Sequence, residues 1–121
     1  MGSIVIIADT FNDRLALWTL RDGKVLRHMG SFGERPGQFM YLGAIALTSG
    51  KLLVVTDELR VQILTVTGDV VRVLALDKIG QLAGVAVSPV TNDIIITDEV
   101  EHRVIVCSWS TEVRIDVLLY L

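Results

Sequence analysis

An aspartate closing an apolar run, followed within a few residues by an arginine that opens another, occurs three times: "IIADTFNDRL" from Ile6, "VVTDELRV" from Val54 and "IITDEVEHRV" from Ile95. Asp9, Asp57 and Asp98 stand 48 and 41 residues apart, and Arg14, Arg60 and Arg103 stand 46 and 43 apart. Repetition at this spacing restricts the fold severely, because one such unit cannot bury its apolar face alone and must stack on its neighbours. Other segments recur in step. "GAIAL" from Gly43 matches "GVAV" from Gly84, and "TLRDGKVLRHM" from Thr19 parallels "TVTGDVVRVLAL" from Thr65. The middle copy has lost two residues between its aspartate and its arginine.

Residue type sets the local structure of each unit. Short runs of Ile, Val and Leu are broken about every eight to twelve residues by Asp-Gly, Thr-Gly-Asp, Ser-Gly or Thr-Asn-Asp, which reads as an all-β chain with no amphipathic helix. The continuously apolar runs "IVIIA", "LLVVT" and "DIIIT" predict strands buried on both faces. The mixed runs "RLALWTL" and "RVQIL" predict strands that are only partly covered. Four strands per repeat, with inner strands covered on both sides, is the requirement of a β-propeller blade, whereas a sandwich buries one face only. The expected fold is therefore an all-β propeller segment of about three antiparallel blades and eleven strands. The first blade lacks its innermost strand, and the segment is part of, or assembles into, a larger propeller. Boundaries fall at 4–41 for the partial first blade and its linker, 42–82 for the second and 83–121 for the third.

The stretch "GSFGERPGQFMYLGAIAL" from Gly30, followed by "GKLLVVTD", together with "VIIADTFNDRLALW", resembles the NHL repeat. The resemblance covers nearly the whole chain. It departs from the family pattern at Phe11, where Gly is preferred, at Leu42, and at Thr48 and Ser88, and the second linker "LDKIGQLAGVAV" has no Pro-Gly-Gln-Phe. The resemblance implies a propeller, commonly of six blades, that serves as a platform for protein partners or sometimes RNA, with metal-dependent lyases and lactonases among related propellers. Six blades of this period take roughly 250 residues. This chain has 121.

In an up-and-down blade, the turn between the second and third strands and the linker between blades emerge on one side. That side collects Asp9, Asp13, Glu34, Asp57, Glu58, Asp77, Asp98, Glu99 and Glu101 against Arg14, Arg35, Arg60, Lys78 and Arg103. An excess of acids argues against nucleic acid, whose affinity comes from neutralising phosphates with Lys and Arg. The expected partner is a protein, or another copy completing the ring. The candidate partner-binding residues are Phe11, Asn12, Asp13, Glu34, Arg35, Gln38, Glu58, Glu99, Glu101 and His102.

The recurring acid–base pairs read as a structural latch in each blade, Asp9 with Arg14, Asp57 with Arg60 and Asp98 with Arg103. A catalytic residue is needed once, but a latch is needed in every blade. Asp at a strand end accepts backbone N–H groups of the following turn, and Asn12 suits a positive φ. A calcium site on the three aspartates is chemically conceivable, but the arginines compete for the same carboxylates.

No catalytic, cofactor or metal site is expected. Two histidines, His28 and His102, fall on an outer strand and a turn of different blades, short of the three or four ligands zinc takes. Cys107, Ser108 and Ser110 have no neighbouring His to activate them, and Cys107 reads as a small core residue. Trp18 and Trp109 hold matching strand positions and read as blade packing. Gly33, Pro36 and Gly37 shape a linker, because no Lys-Ser or Lys-Thr follows them as a phosphate-binding loop requires. Phe39 is the candidate wedge between blades.

The single cysteine excludes an internal disulfide and points to a reducing, cytoplasmic setting. The apolar runs are too short to span a bilayer as helices, and no secretory leader is evident. The function expected is a non-catalytic interaction scaffold. The alternatives are a fragment of a propeller hydrolase or lyase whose metal ligands lie in further blades, and an RNA-binding surface.

Overall fold

Within each sheet every strand pairs with its neighbours in the chain, so the sheets form in chain order. The computed structural model describes residues 3–58, 60–75, 81–108 and 115–120. Sheet one holds β1 (Ile4–Asp9), β2 (Arg14–Thr19) and β3 (Lys24–Met29). Sheet two holds β4 (Ile45–Leu47), β5 (Leu53–Thr56), β6 (Arg60–Leu64) and β7 (Val70–Ala75). Sheet three holds β8 (Leu82–Val87), β9 (Ile94–Asp98), β10 (Arg103–Cys107) and β11 (Ile115–Tyr120). All pairings between these strands are antiparallel, and among the described residues sheet one has no strand in the place that β4 and β8 take in the other two. Among the described residues there is no α-helix, only a single turn of 3-10 helix at Thr10–Asn12.

Turn chemistry explains the hairpins. Gly23 and Gly68 take φ of 62° and 98° between the last two strands of sheets one and two, a region that costs glycine nothing. In the turn between β1 and β2 the positive φ falls on Asp13 at 48°, one residue beyond the Asn12 expected to carry it. Asn12 instead turns its amide back onto Asp9.

Two apolar layers hold the three sheets together. Between sheets one and two pack Leu15, Leu17, Met29, Phe39, Leu42, Leu53, Val55 and Leu64, all nearly or completely buried. Between sheets two and three pack Val54, Val61, Ile63, Leu74, Leu82, Ile94, Ile96, Ile105 and Cys107. Fully burying one Leu, Ile or Val stabilises by about 1.5–3 kcal/mol, whereas an isolated hairpin is marginal in water. Sheet stacking therefore dominates over hairpin formation. Phe39 is completely buried and fills the gap where the linker leaves sheet one. Its ring fits because Gly30, at φ 94°, has no side chain: a Cβ there would collide with the Phe39 ring.

The position of a sheet in the stack, more than its composition, decides which strands are covered twice. In β5 all four residues are buried, as expected. In β1, however, Ile4 and Ile7 are 54% and 42% exposed, and in β9 Thr97 and Ile95 are more open than their neighbours. These strands lie in the outer sheets, which have a packed sheet on one side only among the described residues. Conversely β6, expected to be partly covered, is buried at all five residues, including Gln62. It lies in the middle sheet, with sheet three against one face and the first linker folded over the other.

Candidate functional site

Asp57 and Asp98 lie at the corner where a linker enters the sheet. In sheet two, Asp57 accepts the backbone N–H of Met40 and of Arg60, both at 3.0 Å, and Glu58 N–H donates to Met40 O at 2.9 Å. In sheet three, Asp98 accepts Gln81 N–H at 2.9 Å and Glu101 N–H at 3.2 Å, while Glu99 N–H donates to Gln81 O at 3.0 Å. Met40 and Gln81 are thus clasped in the same way, just ahead of the innermost strand. Two threonines continue the grip: Thr56 Oγ1 accepts Ala44 N–H at 3.0 Å, and Thr97 Oγ1 accepts Gly84 N–H at 2.8 Å.

Each arginine reaches its own aspartate. The separations are 3.0 Å for Arg14 and Asp9, 3.7 Å for Arg60 and Asp57, and 3.4 Å for Arg103 and Asp98. The surroundings differ. Arg60 is buried and donates through Nη1 to Glu34 O at 2.7 Å and through Nη2 to Gln38 O at 2.8 Å and Arg35 O at 3.1 Å. Gln62, next on the same face, accepts Gly37 N–H at 2.8 Å and donates to Gln38 O at 2.6 Å. Burying these polar side chains is tolerable because the linker supplies the partners. Arg14 and Asp9 are 37% and 30% exposed. The two hydrogen bonds from Asn12, followed by that from Arg14, hold the Asp9 carboxyl below its ordinary range.

Most of the expected partner-binding residues face outward. Phe11 is fully exposed at the tip of its turn, and Asn12, Glu34, Arg35, Glu58, Glu99, Glu101 and His102 are exposed. Asp13 is turned inward instead: it is 9% exposed and its carboxylate accepts Leu42 N–H at 2.9 Å, joining the first turn to the linker that follows. Gln38 is half-buried, its amide spent on Arg35 N–H at 3.1 Å and Ser31 Oγ at 3.3 Å. Asp77 and Lys78 lie outside the described residues.

Two aromatic residues join this surface without having been marked as partner-binding. Tyr41 and Phe32 are 64% and 56% exposed and meet edge to face, with ring centres 5.9 Å apart. Tyr41 borders an open depression of about 550 Å³ lined also by Thr10, Leu42, Gly43, Glu58, Gln81, Leu82 and Ala83. The aromatic content of the linker was visible in the sequence. The depression was not, since it exists only where linkers and turns from three sheets converge.

Of the candidates for chemistry, His28 lies exposed on β3 and His102 exposed in the turn before β10. Among the described residues no three His, Cys, Asp or Glu side chains are placed to share a metal ion. Cys107 is completely buried, and burial pushes its thiol pKa up, away from the reactive thiolate. Trp109 and Ser110 lie outside the described residues.

Antiparallel sheets stacked face to face, the second and third each entered by a linker clasped at the same corner, define a β-propeller segment. Solved structures agree. The chain superposes on virginiamycin B lyase from Staphylococcus aureus with a TM-score of 0.73 at 17% identity, covering 96% of this chain and 37% of that one. It superposes on U3-55K with a TM-score of 0.80 at 17% identity, covering 97% and 36%. A streptogramin B lyase gives 0.73 at 15% identity, covering 99% and 38%. The chain therefore spans little more than a third of the length of these proteins, and the likeness is one of fold. No family model matches the chain, and no curated protein matches it. No helix among the described residues is long and apolar enough to cross a membrane.

Proposed function

We propose that the chain is a non-catalytic segment of an NHL-type propeller that acts as a protein-interaction scaffold. The observation that carries this reading is the division of labour on the linker side. The repeated aspartates and arginines pair with one another in every sheet, and Asp57, Asp98 and Arg60 also clasp linkers, so that they act as structural latches, while Phe11, Tyr41, Glu58 and Glu99 remain exposed around them. Exposed aromatic anchors with a charged rim are what a protein partner uses. The acids left exposed, Glu34, Glu58, Glu99 and Glu101, outnumber Arg35 and favour a partner that presents a basic segment. The same imbalance speaks against RNA. The single buried Cys107 suits a reducing, cytoplasmic setting.

The test compares partners captured by cross-linking to the intact chain with those captured by a Phe11→Ala/Tyr41→Ala variant. A specific protein recovered by the first and lost from the second supports the scaffold. Recovery unchanged by the double substitution would overturn the assignment of this face.

A second reading draws on the likeness to two lyases: the chain belongs to a propeller enzyme whose metal ligands lie in further blades. Metal-dependent turnover by a longer protein containing this chain, abolished by changes on the depression beside Tyr41, would favour the enzyme.

A further inference from the structure

We propose that the depression beside Tyr41 takes the side chain of an arginine from a protein partner, stacked on the Tyr41 ring and paired with the Glu58 carboxylate. This rests on the scaffold reading above and names what the partner must present. The backbone gives the first indication. Tyr41 takes φ of 56°, a left-handed conformation that a bulky side chain adopts only under constraint. The constraint lies on both sides of it: the Asp57 carboxylate accepts Met40 N–H at 3.0 Å, Glu58 N–H donates to Met40 O at 2.9 Å, and the Asp13 carboxylate accepts Leu42 N–H at 2.9 Å.

The two linkers, set side by side, mark Tyr41 as an added residue. In the second, Leu82 and Ala83 separate Gln81, held by Asp98, from Gly84, held by Thr97. In the first, Tyr41, Leu42 and Gly43 separate Met40, held by Asp57, from Ala44, held by Thr56. Leu42 and Leu82 are buried while Gly43 and Ala83 are exposed, so these correspond in turn and Tyr41 has no counterpart. The clasp of sheet three works without such a residue. Nor does the core need the Tyr41 ring, which is 64% exposed and rests against Phe32, itself on the surface. A constrained backbone that displays an aromatic ring the fold does not require points to recognition.

The chemistry of the depression selects its occupant. Among the described lining residues Glu58 is the only charged one, and Thr10 and Gln81 add a hydroxyl and an amide. Asp57 is buried in the clasp, whereas Glu58 beside it is exposed. A basic side chain complements this lining. Arginine suits it better than lysine, because a planar guanidinium stacks on an aromatic ring, forks onto a carboxylate and sheds water more readily than an ammonium. Its remaining N–H groups find acceptors in the Gln81 and Thr10 oxygens.

The experiment titrates the whole chain with N-acetyl-arginine amide, read by the backbone NMR shifts of Tyr41, Gly43 and Glu58, with the corresponding lysine and citrulline amides as comparisons. Expected are saturable shifts with arginine, roughly fivefold weaker binding of lysine, and roughly tenfold weaker binding both of citrulline and of arginine to Glu58→Gln. Tyr41→Gly should abolish the shifts at Gly43 and Glu58 while leaving the melting temperature unchanged or raised, because glycine takes the positive φ at no steric cost. No saturable shift, citrulline bound as well as arginine, or a Tyr41→Gly variant that melts well below the parent would each overturn the proposal. A partner captured through Phe11 and Tyr41 but held equally well by Glu58→Gln would keep the scaffold and remove the arginine. Arginine shifts with no partner captured would do the reverse.

Discussion

The guanidinium of Arg60 donates to the main-chain oxygen of Glu34 at 2.7 Å, and so ties the second strand of one sheet's Asp-to-Arg hairpin to the linker arriving from the sheet before it. With its further bonds to Arg35 O and Gln38 O, this one side chain closes the polar end of the first inter-sheet layer. Phe39 closes the apolar end.

The equivalent arginines should therefore differ sharply in their worth to stability. Arg60→Ala removes the cation beside the buried Asp57 and leaves linker carbonyls without their side-chain donor, and is expected to cost roughly 3 kcal/mol. Arg14→Ala removes a solvent-screened pair and should cost far less. Urea unfolding of the two variants measures both, and equal losses would contradict the ranking. Arg60→Lys should recover only part of the difference, because an ammonium cannot fork across several carbonyls.

Gly30 and Phe39 should be energetically coupled. Gly30→Ala forces a side chain into the Phe39 ring at a positive φ, and a destabilisation of about 2–3 kcal/mol is expected. Phe39→Ala should cost about 3–5 kcal/mol through the cavity it leaves. In the double variant the clash is gone, so the combined loss should fall short of the sum. Strict additivity in thermal or urea melts would show that the ring does not explain the glycine.

Asp9 offers a test by pH. Its folded-state pKa lies below the ordinary value, so its contribution to stability is present above the unfolded aspartate pKa and is lost as pH falls through the folded value. Because the pair is partly exposed, the effect on stability is small, and the titration itself is the better readout. Carboxyl NMR should show the Asp9 midpoint rising in Asn12→Ala, and by more than in Arg14→Ala, since the Asn12 bonds are the larger cause. A reversed order would place the arginine first.

Cys107 should be silent toward thiol reagents. It is completely buried between sheets two and three, and burial raises its pKa. A chromogenic disulfide reagent at neutral pH is expected to react with it only at the rate of unfolding, and in full once urea is added. Prompt reaction in the native state would mean that the second inter-sheet layer opens readily.

Much of this architecture was legible in the chain because it depends on short-range chemistry. The period of the Asp-to-Arg segments and the alternation of apolar runs with turn residues were enough for an all-β propeller segment of eleven strands whose first sheet lacks a member. Those are local properties, fixed by backbone preference and by the need of each unit to stack. What the sequence could not disclose was which faces end up covered: β6 is buried throughout and β1 is half open, though their compositions suggested the reverse. Nor could it disclose that Asp13 turns in to Leu42, that Gln62 and Arg60 grip the linker, or that Tyr41 borders a depression shared by three sheets. Burial and hydrogen-bond partnership across 22 to 29 residues arise only when one sheet is set against another, so they belong to the stack and not to any one repeat.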